Sequence, residues 1–443
     1  MKLFDSFSTN FKDIDEDQIN IYTCGPTVYD YIHIGNARPL ILADTLVRYF
    51  DHKKIKYKYL LNITDIDDKI INKAIDLNIT EDELVDKYKN AFLKNLNDLN
   101  IKTPSNIVAI SSKIGEIINF IDVLIEKGYA YIVDGSVYFD ISKVKNEYGK
   151  LSKQQLENLW TGVRVDLEKN KKNQGDFALW KKTDIGKNWL SKWSLGRPGW
   201  HTECALMIDH FFSETIDIHI GGIDLKFPHH ENERVQYLAK NEKEIAKLWM
   251  HNGHLSIENV KMSKSLGNII TVNEFLEKYN LNTLRYIFLS SNYRQPLNIS
   301  IDVINQAIEW NKKVFNLLKT SNWKLAIKEI NQRNQIPIDE DLVPFNYMDK
   351  FNSYMEDDLN TPMVITLLDE MMKNLNSQIK DSCLDLCMSE FKSILDCIGF
   401  KYHIKQLTDK DIKKLNLWKK ALTKKDYIKA DKLRKELIES EII

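Results

Sequence analysis

Cysteine is scarce in this chain. Five occur among 443 residues, at positions 24, 204, 383, 387 and 397, odd in number and unevenly spaced. That excludes a disulfide scaffold and points to a reducing compartment, where a notable cysteine is more often a ligand or nucleophile than half of a bridge. Long apolar runs are missing too: none reaches the roughly 18 residues a spanning helix needs, so no membrane segment is expected. The stretch MKLFDSFSTNFKDIDEDQ has no apolar core followed by small residues, so no secretory leader is expected and a cytoplasmic location is. Net charge is nearly absent, at −1, which excludes a chain that binds nucleic acid by overall basicity. With 43% apolar and 28% charged residues, the composition is that of a globular protein and excludes wholesale disorder and a collagen-like fibre. The length implies roughly two to four domains.

The small net charge hides an uneven distribution. Lys401 to Ile443 carries 13 Lys and Arg against 7 Asp and Glu, a net +6 on a body of −7. A basic tail on an acidic body suits a phosphate-bearing partner, although a solvated helix face has the same composition.

The first hundred residues alternate between strand and helix patterns. Gln18–Thr23 (QINIYT) reads as a strand running into Cys24-Gly25-Pro26, Asn36–Phe50 as a helix with Pro39 in its first turn, and Tyr57–Ile63 as a second strand. This order predicts a parallel α/β sheet with ligands at the carboxyl ends of its strands. From about Ser111 to Ser191 the character changes. A helix pattern at Ile114–Lys127 precedes YAYIVDGSVYFD, a hairpin signal with Asp134-Gly135 at its turn, and a polar loop at Glu168–Asn173. This reads as an insertion between two halves of the sheet domain. The α/β pattern returns with Ile216–Ile220 and Gly221-Gly222. After about Ile301 the chain reads as mostly helical, with a linker at Asn331–Pro337 and a break near Gly399.

Three blocks carry residues suited to chemistry. Cys24–Asn36 (CGPTVYDYIHIGN) lies between a strand and a helix, where free N–H groups attract anions and His33 and Asn36 can donate to phosphate or ribose oxygens. Lys261-Met262-Ser263-Lys264-Ser265, followed by Gly267, can fold over a polyphosphate and neutralise a departing pyrophosphate. A polar surface turn would have the same composition. In FPHHENE, His229 and Glu233 are four residues apart and share one face if helical, with Cys204 25 residues upstream and Cys24 further off. Two thiols, an imidazole and a carboxylate can complete a tetrahedral zinc site. Spacing alone does not establish this, since an isolated His-x-x-x-Glu is usually a polar helix face.

Taken in order, CGPTVYDYIHIGNAR, NITDIDDKI (Asn62–Ile70), RPGWHTECALM, GGIDLKFPHHENE and KMSKS resemble the cysteinyl-tRNA synthetases, a family of class I aminoacyl-tRNA synthetases. The likeness is strong over about 1 to 300 and looser beyond, through MEDDLNTP at Met355–Pro362. It implies a Rossmann-like parallel-sheet catalytic domain with an insertion, followed by a mostly α-helical C-terminal region. The implied segments are 1–110 and 196–255 for the two catalytic halves, 111–195 for the connective insertion, and 256–300 for the lysine loop and a stem-contact region. A helical bundle on the anticodon side follows at 301–400 and a small basic tRNA-binding region at 401–443.

The resemblance also implies roles. One zinc ion would be held by Cys24, Cys204, His229 and Glu233, with His230 left out, and would bind the substrate thiolate. That selectivity makes an editing domain unnecessary. His33, Gly35 and Asn36 would contact ATP phosphates. Asn36 stands where many class I enzymes carry a second histidine, so it can donate a hydrogen bond but carries no charge. Lys261 and Lys264 would meet the pyrophosphate. Gly222 and Asp224 would meet the adenosine ribose, and Thr64 and Trp200 would line the cysteine pocket, with a core position equally open for Trp200. ATP with Mg²⁺, L-cysteine and tRNA(Cys) are the implied substrates of a monomer. Trp418 would either contact an anticodon base or pack in the bundle, and Cys383, Cys387 and Cys397 read as structural. The other readings are an ATP-dependent ligase joining cysteine to a small amine, a non-catalytic tRNA-binding relative, and a zinc hydrolase with Glu231 as its base.

Overall fold

The computed structural model describes residues 1–15, 17–154, 171–262, 267–332, 346–377 and 384–443. Lys264, Cys383, residues 168–170 of the expected polar loop and residues 333–337 of the expected linker lie outside the described residues. The chain forms two compact units, Met1–Tyr279 with Tyr293–Asn298, and Asn280–Asn292 with Ile299–Ile443. The region expected as one piece from 256 to 300 is thus shared between them.

The first unit opens with a hairpin absent from the expected elements, β1 (Lys2–Asp5) and β2 (Asn10–Asp13). Its central sheet contains β3 (Gln18–Thr23), β4 (Lys56–Ile63), β5 (Asn106–Ala109), β11 (Ile216–Gly222) and β12 (Ala246–Asn252), in the order β12-β11-β3-β4-β5 and all parallel. Strands covered on both faces read as nearly continuous apolar runs, as in Tyr59–Ile63, whereas Ile216–Ile220 is buried throughout although Asp217 and His219 interrupt its apolar pattern. The chain builds outward from β3 to β5, then returns to the other side of β3 for β11 and β12. The switch point, where open α/β sheets bind ligands, therefore lies between β3 and β11.

Helix α1 (Ile34–Lys53) follows β3. It begins two residues before the expected start because His33 is its cap: the ring accepts from Asn36 N at 3.2 Å, and Asn36 Oδ1 accepts from His33 N at 3.2 Å. Pro39 consequently stands in the second turn. Helices α2 (Asp68–Leu77) and α3 (Glu81–Asp98) connect β4 to β5.

The insertion contains α4 (Ile114–Glu126) and an antiparallel sheet of β6 (Ala130–Val133), β7 (Ser136–Phe139), β8 (Phe177–Lys182), β9 (Trp189–Leu190) and β10 (Leu195–Pro198). The hairpin turns at Asp134-Gly135, where Gly135 has φ +86°. The core of the insertion, with Phe120, Val137, Leu179 and Trp180, is continuous with Tyr22, Leu60 and Trp249 of the central sheet. Helix α5 (Trp200–Phe212) leads back to β11, and α6 (Glu231–Asn241) joins β11 to β12. A small sheet of β13 (Leu255–Ile257), β14 (Val260–Lys261) and β15 (Leu297–Ile299), with α7 (Val272–Lys278), completes the surroundings of the cleft.

The second unit is helical: α8 (Leu281–Leu289), α9 (Ile301–Gln332), α10 (Tyr347–Glu356), α11 (Thr361–Ser377), α12 (Leu384–Cys397), α13 (Asp409–Thr423) and α14 (Tyr427–Glu439). Cys387 and Cys397 are buried on α12, in no disulfide among the described residues. Leu415, Leu437 and Ile442 form a small core, against which Trp418 packs edge-on to Trp323 with centroids 5.8 Å apart. Trp418 thus has a packing partner within the bundle.

Gly399 ends α12 with φ +80°, and a Cβ there would stand 2.1 Å from the buried Arg285 guanidinium. Both the backbone angle and the close approach require glycine. Gly399→Ala is expected to cost about 1–3 kcal/mol in denaturant unfolding. A change below about 0.5 kcal/mol, the scale of a neutral surface substitution, would contradict this account.

Candidate functional site

A cleft of about 370 Å³ opens at the carboxyl ends of β3, β4 and β11. At one end four donors converge. Cys24 follows the last residue of β3, Cys204 lies on α5, His229 lies in a π-type turn at Lys226–His230, and Glu233 is in the first turn of α6. His229 therefore precedes the helix that the sequence spacing assigned it to, yet its ring still reaches Glu233. Cys24 Sγ stands 3.6 Å from Cys204 Sγ, 3.7 Å from His229 Nε2 and 3.5 Å from Glu233 Oε1. Cys204 Sγ is 3.5 Å from His229 Nε2, and His229 Nε2 is 2.7 Å from Glu233 Oε1. Zinc–ligand bonds of about 2.0–2.3 Å set tetrahedral edges of about 3.3–3.8 Å. Four of the five sulfur-bearing edges fall in that range, the Cys204–Glu233 edge lies within 4.8 Å, and the His229–Glu233 edge would open by about 0.6 Å.

The charge state of the cluster also suits a cation. Burial pushes the Cys24 thiol well up, and Cys204 and Glu233 add to this. Glu233 is buried, which opposes its ionisation, but His229 and His219 hold its carboxyl well below the usual range. Burial opposes the imidazolium of His229 too, yet Glu233 and Cys204 outweigh it and raise its pKa to about 10. Anion-forming groups crowded out of water gain most from a bound cation, which also favours thiolate over thiol.

A second foursome, Cys24, His219, His230 and Glu233, meets the same distance limit. It differs in access. Cys24, Cys204 and His229 line the cleft, whereas His219 and His230 are wholly buried behind it. A metal that touches substrate needs an open position, which favours the first set. His219 instead supports that set: its Nε2 lies 2.9 Å from Glu233 Oε2, and its ring stacks on Trp249 at 4.4 Å. His230 Nδ1 is engaged by His251 Nε2 at 2.8 Å.

Trp200 is at the cleft and not in the core. It is 37% exposed and stacks on His229 with centroids 4.2 Å apart. Thr64 is buried below the cleft and donates to Glu203 Oε2 at 2.9 Å. Burial and neighbouring Cys204 raise the Glu203 carboxyl well above its usual range. At the other end lie His33, Gly35, Asn36, Gly222, Asp224 and Lys261. Because His33 Nδ1 accepts from Asn36 N, a neutral ring carries its proton on Nε2. A Cβ on Gly35 would stand 2.7 Å from Met262 Cε, so the two signature segments meet there. A Cβ on Gly222 would stand 2.4 Å from Asp224 Oδ1, so the carboxylate folds back over that glycine. Ile34 N donates to Ile270 O at 3.0 Å and Val272 N to Ile32 O at 2.9 Å, which ties the first signature to the segment after the lysine loop.

Sequence reasoning missed the supports. Asn62 is 1% exposed; its Oδ1 accepts from Gly25 N at 2.8 Å and Tyr22 Oη at 2.9 Å, and its Nδ2 donates to Thr64 at 3.2 Å. It thereby fixes the turn that presents Cys24. An asparagine at the end of an apolar strand run, and a histidine inside IDIHI, were the available signals.

A family model described as the tRNA synthetases class I (C) catalytic domain matches residues 10–309, and one described as the DALR domain matches residues 350–400. A methionyl-tRNA synthetase from Mycobacterium tuberculosis, solved in complex with methionyl-adenylate, aligns with a TM-score of 0.62 over 91% of each chain at 11% identity, a likeness of fold. These matches define the class I tRNA synthetases. Cysteine–tRNA ligases of Mycoplasma mycoides subsp. mycoides and Mycoplasma capricolum subsp. capricolum are 50% and 52% identical to this chain over the full length of both partners, and that of Acholeplasma laidlawii is 41% identical, also over both full lengths. The chain belongs to the cysteine–tRNA ligase family of this class.

Asn62→Leu keeps the branched shape but removes the acceptor of Gly25 N and Tyr22 Oη. It is expected to lower stability by about 2–4 kcal/mol in denaturant unfolding. An unchanged midpoint would show that the Cys24 turn holds without it.

Proposed function

We propose that this chain activates L-cysteine with ATP and esterifies the product to the 3′ end of tRNA(Cys). The observation that carries the reading is a four-donor thiol, imidazole and carboxylate cluster opening on the same cleft as His33 and Lys261. A zinc ion held by Cys24, Cys204, His229 and Glu233 would supply a soft Lewis-acid centre that prefers a thiolate to a hydroxyl. Cys24 is then a ligand and not a nucleophile.

The remaining groups position and neutralise. Trp200 and Thr64 wall the amino-acid end. His33 Nε2, the Asn36 side-chain amide and the positive end of the α1 dipole meet the phosphates of ATP, which arrives with Mg²⁺. Gly222 and Asp224 meet the ribose. The cysteine carboxylate attacks the α-phosphorus, the bond to the β-phosphate oxygen breaks, and Lys261 and Lys264 neutralise the departing pyrophosphate. The 2′-hydroxyl of the terminal adenosine then attacks the activated carbonyl, and AMP leaves. Aligning the reactants accounts for much of the acceleration, with no covalent enzyme intermediate. The helical segments 301–400 and 401–443 serve the anticodon side of the RNA, and the insertion 111–195 and residues 256–300 serve the cleft. The working form is a cytoplasmic monomer.

Pyrophosphate exchange tests this reading. Cysteine is expected to exceed serine and alanine by more than the ~200-fold an apolar pocket supplies, and a chelator should abolish the advantage. Cys204→Ser should lower bound metal, read by elemental analysis, while tRNA binding persists. Equal exchange with cysteine and serine would remove the metal from selection. Lys264→Ala should slow adenylate formation by about 10²-fold with metal content unchanged; an undiminished rate would exclude that lysine from the first step.

A further inference from the structure

In the segment Asn62–Ile70 every acidic group is committed within the protein. Asp65 Oδ1 accepts from Ser111 N at 2.9 Å and its Oδ2 from Ser111 Oγ at 2.5 Å. Asp67 caps α2, accepting from Lys69 N at 2.8 Å. Asp68 pairs with Lys181 at 2.8 Å and with Arg197, both from the insertion sheet. Lys69 is different. Its side chain is exposed, lines the cleft and has no carboxylate partner among the described residues.

Two aromatic rings hold it instead. Lys69 Nζ lies 5.5 Å from the ring centroid of Tyr29 and 6.0 Å from that of Trp200, which stacks on His229. A carboxylate would neutralise the ammonium, whereas aromatic faces position it and leave its charge available. The fixed first turn of α2, pinned through Asp68, keeps the side chain at the mouth of the cleft.

The anions of ATP have donors of their own in His33, Asn36, the start of α1 and Lys261. An exposed cation at the rim is better placed for an anion that enters from solvent as part of a strand. We propose that Lys69 receives a backbone phosphate of the single-stranded 3′ end of the tRNA during transfer. The inference rests on the synthetase reading above, and the test separates the two.

Aminoacylation and pyrophosphate exchange are measured with the full chain, cysteine-specific tRNA and the variants Lys69→Ala and Lys69→Arg. Lys69→Ala should lower kcat/KM for tRNA about tenfold and flatten its log–log salt dependence by about 0.7, the contribution of one single-strand phosphate. Exchange should stay within about twofold of the parent, which also reports a folded enzyme, and Lys69→Arg should retain most of the transfer rate. Exchange that falls in parallel with transfer would assign the ammonium to cysteine or ATP and overturn the proposal. An unchanged salt slope would overturn it as well. Absence of cysteine-dependent exchange in the parent chain would instead overturn the synthetase reading.

Discussion

Two thiols, an imidazole and a carboxylate stand within 4.8 Å of one another, largely out of water, and the rest of the catalytic unit is arranged to keep them there. Cys24 depends on the turn after β3, and that turn depends on Asn62. His229 depends on the π-type turn before α6. Glu233 depends on His219, which is itself held against Trp249. The two thiols and the Glu233 carboxylate repel one another when ionised, so packing them this densely is costly unless positive charge joins them. The hydrogen-bonded neighbours fix ring and carboxylate orientation, so the cluster is set by the fold before a ligand arrives.

The nucleotide end is built on a different principle. Its groups among the described residues are a cap histidine, the start of α1 and Lys261, around close approaches at Gly35 and Gly222. Arg38, 2% exposed, pairs with no carboxylate among the described residues and donates to the carbonyls of Gly253, His254 and Gln295. Burial lowers its pKa to about 10. It stitches α1 to the cleft floor formed by the segment after β12. On the function proposed above, the thiol end would recognise by bonding and the phosphate end by field and shape, and the carboxyl edge of one sheet holds both ends of the cleft.

Much of this was legible in the residues. The parallel sheet was legible in the alternation of strand and helix patterns, the hairpin in Asp134-Gly135, and the four donors that lie together were named through likeness to a family. The start of α1 was misjudged because His33 and Asn36 were read for their chemistry alone, when they also close a capping box. His229 and Glu233 do lie side by side, but through a kinked, wider turn than an α-helix, with Phe227 in extended backbone. The supports were not legible because their partners are remote: Asn62 acts on Gly25, and Glu203 on Thr64 139 positions away. Nor does a linear pattern show that the insertion and the sheet share one core, since that follows from Phe120, Val137 and Trp180 meeting Trp249 in space.

Strand β3 pairs with β11 across 197 positions of sequence, with Asn20 N bonded to Asp217 at 2.7 Å. Closing so long a segment costs chain entropy that local contacts do not recover, so this join is expected to form late in folding. Cys24 sits on one side of the seam and the other three donors on the far side. An ion gripped across it would act as a clasp on the assembled sheet, stabilising the native state by mass action. The same four side chains would then govern how long the enzyme survives in a metal-poor cell, besides which amino acid it admits.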